Sequence, residues 1–244
     1  MSGIQGSSAR FPTTLWSMVI KAAKPGTTSA DAALAQLCEA YWYPVYAYIR
    51  RHGFDAEVSR DLTQEFFARL LEKDYLSDVS REKGRFRAFL LASTRHFLSN
   101  ERDRALAQKR GGGSILLPLE LDIAEGLYRV EPADPVTPQT VFQRRWALTV
   151  LDRALRRVRQ ESRHPHFDQL QSFLSGDADR GEYARIADDL GVSEGSLKVA
   201  VHRLRKQYRQ ALRAEIAETL SKPEEVENEI RFLLDVLSEA SVGR

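Results

Sequence analysis

The chain is expected to be all-α: two small helical domains joined by a linker, with a helical extension at the C-terminus. Three observations lead there. Apolar residues recur at three- and four-residue spacing over most of the 244 positions, with no convincing alternating strand. Caps and stops punctuate those stretches at helical lengths. A segment holding four glycines and four prolines, residues 111–140, interrupts them once.

The elements follow in order. Thr13 or Thr14 caps a short helix, LWSMVIKAA, which ends before Pro25-Gly26. A second helix is expected over 29–51, with Leu34, Leu37, Cys38, Tyr41, Val45, Tyr48 and Ile49 on one stripe. Pro44 inside it predicts a kink, and Gly53 stops it. A third, 56–73, places Leu62, Phe66, Leu70 and Val58 together, and a fourth, 85–109, carries Phe86, Phe89, Leu90, Phe97 and Leu98. After the glycine- and proline-rich segment, Thr137-Pro138 opens a helix through Trp146, Leu148, Leu151 and Leu155 towards Val158. Further helices fit 166–174, 183–190 and 193–216. The last, from Pro223 to about Ser238, is preceded by Ser221 and Glu224 in capping-box spacing. Its stripe is Val226, Ile230, Leu233, Leu234 and Leu237.

Composition narrows the function classes. Apolar residues make up 43% of the chain, enough to build cores. A single cysteine, Cys38, forbids an internal disulfide and fits a reducing compartment. The longest apolar runs, such as AFLLA at 88–92, fall far short of a membrane span, and MSGIQGSSAR has no apolar signal core. The expectation is a cytoplasmic protein without a membrane partner.

Net charge is only +2, but its distribution is uneven. Residues 81–110 hold nine Lys/Arg against three Asp/Glu, and residues 194–213 hold six against one. The balance reverses over 53–78, with seven acids against three bases, and over 215–239, with eight against two. The basic blocks point to two nucleic-acid contacts and the acidic ones to protein-facing surfaces.

The stretch YARIADDLGVSEGSLKVAVHRL meets the packing demands of a helix-turn-helix. Ile186 and Leu190 face a core, Ala187 is small where helices cross, and Gly191 suits a turn needing positive φ. Val192 and Leu197 are expected to pin the second helix and Ser193 to cap it. Ser196, Lys198, Val199, His202, Arg203 and Arg205 then point outward, able to meet phosphates, guanine edges or a thymine methyl.

These residues resemble the extracytoplasmic-function (ECF) subfamily of the sigma-70 family of bacterial RNA polymerase sigma factors, over roughly residues 12–213. The subfamily's minus-35 reader has the form YxEIAxxLGxSxGTVKSRLHRARxxL; here the match is YARIADDLGVSEGSLKVAVHRLRKQY, residues 183–208. The resemblance implies base or near-base contacts for Lys198, Val199, His202 and Arg203, and phosphate contacts for Ser196, Arg205 and Lys206.

Two more matches lie upstream. DLTQEFFARLL, residues 61–71, is similar to the DLVQETFLRLW helix that docks on the polymerase clamp. It implies Leu62, Phe66 and Leu70 as the apolar contact and Asp61, Gln64 and Glu65 as its polar rim. FRAFLLASTRHFLSNERDR, residues 86–104, is similar to the segment that opens the minus-ten element. It implies Arg85, Arg87, Arg95, His96, Asn100, Arg102 and Arg104 as contacts to unpaired DNA. Phe86, Phe89 and Phe97 fit a core role.

The domains implied are 12–110 for polymerase binding and minus-ten melting, a linker at 111–137, 138–213 for minus-35 recognition, and an acidic extension at 214–244. The partners implied are core RNA polymerase and promoter DNA, with an anti-sigma factor or a Ser/Thr kinase as regulator. Val58, Ser59 and Arg60 stand where the family often has an acidic run, and Thr63 where an aliphatic residue is usual. Because some branches answer to Ser/Thr kinases, phosphate on Thr63 is a candidate replacement for the missing charge. The usual LP before the second helix of the C-terminal domain is absent; ESRHPHFDQLQSFLSGD takes its place.

Competing chemistry is thin. His164, His166 and Asp168 are metal-ligand types without a fourth nearby ligand, GGGS lacks the Gly-Lys-Ser/Thr of a phosphate loop, and Cys38 has no matched catalytic motif. No enzyme activity, metal or cofactor is expected. The alternatives are a stand-alone helix-turn-helix regulator that acts without polymerase, and an interaction adaptor whose basic faces never meet DNA. The extension either packs on the C-terminal domain or meets a partner.

Overall fold

A computed structural model of the chain describes residues 14–21, 28–71, 84–107, 137–162, 165–174 and 181–242. Those residues form helices and turns, with no strand among them beyond one isolated bridge, Arg85 to Leu220. The helices are α1 (Leu15–Lys21), α2 (Thr28–Arg51), α3 (Ala56–Leu71), α4 (Phe86–Ala107), α5 (Pro138–Glu161), α6 (Phe167–Leu170), α7 (Glu182–Asp189), α8 (Glu194–Glu218) and α9 (Val226–Val242). Short 3₁₀ turns cover Gln171–Leu174 and Pro223–Glu225. The expected linker, 111–137, lies outside the described residues except for Thr137.

The chain divides into two units: Met1–Trp146 with Ala217–Arg244, and Ala147–Ile216. In the first, α2 packs against α1, α3 and α4. Pro44 lacks a backbone donor, and α2 kinks three residues before it, at Tyr41 (φ −125°, ψ 24°). The core is aromatic. Trp16, Tyr41, Phe66, Phe86, Phe97, Phe142 and Trp146 are each buried to 2% exposure or less. Trp16 lies 5.0 Å from Phe86 between ring centroids, and Tyr41 stacks on Trp146 at 4.1 Å.

The second unit gathers Ala154, Val158, Phe167, Leu170, Phe173, Ala187, Leu197, Val201 and Leu204 into one core. Two boundaries differ from expectation. The first turns of α5 belong to the first unit, because Val141, Phe142 and Trp146 are buried in its core. The acidic extension belongs to that unit as well, rather than to the unit of α7 and α8. Its docking side chains, Glu225 and Glu229, pair with arginines about 140 residues earlier, a separation that local periodicity does not report. Among the described residues no helix is long and apolar enough to cross a membrane.

Candidate nucleic-acid interface

The turn between α7 and α8 is built locally. Gly191 sits at φ +64°, in the left-handed region that favours glycine. Its N–H donates to Asp188 O at 3.0 Å, and the Val192 N–H donates to Ala187 O at 2.9 Å. Those two bonds are the Schellman pattern, which satisfies carbonyls that the end of α7 would leave bare. Ser193 then caps α8: the Ser196 N–H donates to Ser193 Oγ at 3.1 Å. Both features were expected from the residues. Val192 was expected to pin α8, but it is 40% exposed; the buried anchors are Leu197, Val201 and Leu204.

With that side buried, Ser196, Lys198, Val199, His202, Arg203 and Lys206 are all exposed on α8. Val199 is 51% exposed, a branched apolar side chain among cations. Lys198 pairs with Glu194 at 2.6 Å one turn earlier and lies 5.6 Å from the Tyr183 ring. Arg203, Val199, Ser196 and Ser193 border an open groove of about 1020 Å³ floored by Phe167, Leu170 and Leu204. Arg205 departs from its expected role. Its Nε and Nη2 both donate to Phe173 O, at 3.0 and 2.9 Å, so the guanidinium turns inward to bind the carbonyl of a 3₁₀ turn.

On α3 the expected contact face is divided. Phe66 and Leu70 are buried at 1% and 0% and belong to the core. Asp61 is exposed, and Leu62, Gln64 and Glu65 are half-buried. Val58, placed with the core stripe by periodicity, is 41% exposed. Val58, Asp61, Leu62 and Glu65 fall at spacings of three, four and seven, which puts them on one face. Two of its acids have neighbours already: Asp61 meets Arg60 at 3.5 Å, and Glu65 pairs with Arg69. Arg69 also bonds Glu101 of α4 at 2.7 Å, and these carboxylates hold its guanidinium above the usual range against the opposing pull of burial.

Thr63 is fully buried, and its hydroxyl donates to Ser59 O at 2.6 Å. A kinase has no access to that hydroxyl in the folded chain. Phosphorylation there is therefore at odds with the fold. Ser59 is buried beside it, with no hydrogen-bond partner for its Oγ among the described residues.

The candidates on α4 separate into two groups. Arg95 and His96 are exposed, and Asn100 lies 3.5 Å from His96 one turn on. Arg85 and Arg87, at the helix start, are engaged by Glu225 and Glu229 of the extension. Arg102 and Arg104 lie on the last turns of α4, and their side chains fall outside the described residues. Phe86, Phe89 and Phe97 are core, as expected. Of the loop trio His164, His166 and Asp168, His164 lies outside the described residues and Asp168 pairs with Arg159 at 3.0 Å. The Cys38 thiol is fully buried, and burial pushes its pKa up, away from reactivity.

No family model, curated protein or solved structure matches this chain.

Proposed function

We propose that the chain is a sigma-type initiation subunit: it binds core RNA polymerase, reads a minus-35 element with α8, opens the minus-ten element with α4, and starts transcription. One observation carries the reading. Helix α8 follows a glycine turn and a serine cap, buries Leu197, Val201 and Leu204, and exposes Ser196, Lys198, Val199, His202, Arg203 and Lys206.

That set has the chemistry of a groove reader. Arg203 and Lys198 suit guanine O6 and N7, Val199 suits a thymine methyl, and Ser196 and Lys206 suit phosphate oxygens. In this reading α7, the turn and α8 are a helix-turn-helix, and the unit that contains them is the minus-35 module. In the other unit, the face of Val58, Asp61, Leu62 and Glu65 docks on polymerase, while Arg95, His96 and Asn100 meet unpaired DNA. Each DNA contact is weak alone; tethering both to one polymerase raises their effective concentration.

Run-off transcription from genomic fragments with purified core polymerase tests it. Discrete transcripts that require both the chain and the core enzyme are expected. Transcripts independent of the chain, or none on any fragment, contradict the proposal.

A further inference from the structure

The acidic extension lies directly on the start of α4. The Phe86 N–H donates to Thr219 O at 2.9 Å and the Ser221 N–H donates to Gly84 O at 2.8 Å, closing the antiparallel bridge of Arg85 with Leu220. At Gly84 a Cβ would lie 3.0 Å from Ser221 Oγ, so the two segments run close enough here to be bridged through their side chains. Thr14 Oγ1 donates to Leu220 O at 2.6 Å, and the Leu15 N–H donates to Glu218 Oε2 at 2.7 Å.

Past this clasp, Glu225 and α9 engage both arginines. Arg85 Nη2 is 3.3 Å from Glu225 Oε2, and its Nε is 3.4 Å from Glu229 Oε2. Arg87 grips Glu229 with both prongs: Nε bonds Oε1 and Nη2 bonds Oε2 at 3.1 Å. Its guanidinium carbon sits 3.6 Å from the centroid of the Phe232 ring. Glu229 is 1% exposed.

Two carboxylates and one aromatic face present to the two guanidiniums what a single DNA strand offers: anionic oxygens for charge-assisted bonds and a flat ring for stacking. The Arg87 guanidinium, bidentate to Glu229 and set against the Phe232 ring, has no room for a strand while that contact holds. Resting on the reading of α4 given above, we propose that the extension occupies in cis the site where Arg85 and Arg87 bind single-stranded DNA, and that it must lift away before the strand is captured.

The apolar anchoring of α9 suits detachment. Val226 and Leu233 are buried, but Ile230, Phe232, Val236 and Leu237 are only half-buried and Leu234 is 56% exposed. The centre of the contact is an ion pair, which adds less net stability than apolar packing and competes directly with other anions.

Two full-length variants test the proposal. Glu225→Gln with Glu229→Gln weakens the clasp. A fluorescent single-stranded oligonucleotide should bind it about tenfold more tightly than the parent. The slope of log affinity against log salt should steepen by about 1.4, the value for two added single-strand phosphates.

Gly84→Cys with Ser221→Cys does the opposite. Oxidation locks the clasp shut, and Cys38, the one native cysteine, is buried away from it. The oxidised form should bind the oligonucleotide and transcribe with core polymerase about tenfold less than its reduced form. Equal binding and equal transcription in both redox states, with the reduced form active, overturn the clasp and leave the proposed function standing. Loss of the fold in the glutamine pair, seen by circular dichroism, leaves the decision to the cysteine pair. Failure of the unmodified chain to transcribe with polymerase sinks the proposed function and this inference with it.

Discussion

Arg203 and Arg205 stand two positions apart on α8 and have different fates. Arg203 is exposed, whereas Arg205 spends two donors on Phe173 O. Arg203→Ala should lower transcription from a cognate promoter without shifting the denaturant midpoint. Arg205→Ala should cost about 2 kcal/mol of stability, because it strips a carbonyl of a charged donor pair. Urea unfolding alongside transcription separates the two, and a stability loss at Arg203 would contradict this division.

Thr63 behaves as a core residue. Thr63→Glu should destabilise the fold by about 3 kcal/mol or more, since it buries an unpaired carboxylate. Thermal unfolding of that variant checks it; an unchanged midpoint would show the site to be more open than the fold implies. The amino-acid pattern revealed the types and spacing of these side chains. It did not reveal which carbonyl each reaches: the acceptor for Arg205 lies 32 residues away.

At the scale of elements, local chemistry was legible where it is self-contained. Gly191 and Ser193 were readable because a left-handed turn and a hydroxyl cap need particular residues at particular positions. Gly191→Ala should cost about 1 kcal/mol through the left-handed backbone, and Ser193→Ala about 1 kcal/mol through the lost cap. Both should appear as a lower midpoint in denaturant, and a neutral result at Gly191 would contradict the turn.

The face of α3 was misread for a physical reason. Ser59 and Thr63 lie on its buried side with Phe66, Phe67 and Leu70. A hydroxyl that bonds a carbonyl of its own helix, as Thr63 does, can be buried at little cost, so polarity disguises the inward stripe. The outward stripe then contains Val58 and Leu62. Leu62→Glu should reduce recovery of core polymerase in a pull-down while leaving helicity unchanged; full recovery would remove α3 from the docking surface.

Across the whole chain, the helical class was legible because periodicity runs through nearly every segment. The partition was only partly so. The division into units falls inside α5, after Trp146, and inside α8, after Ile216, rather than at the glycine- and proline-rich stretch. A helix with uninterrupted periodicity carries no mark where its buried partners change, and Trp146 finds Tyr41 more than a hundred positions earlier. The same limit hid the partner of the acidic extension. Eight acids against two bases announced an electrostatic contact, but its identity depended on which arginines the fold brings near.

The central claim is that this chain opens promoter DNA only in company with polymerase. Permanganate probing of unpaired thymines on a promoter fragment tests it most directly. A reactive patch around the minus-ten element is expected with chain and core enzyme together, and none with either alone. Fully duplex DNA in the combined reaction, with the chain alone protecting a specific site, would contradict it and identify a stand-alone regulator.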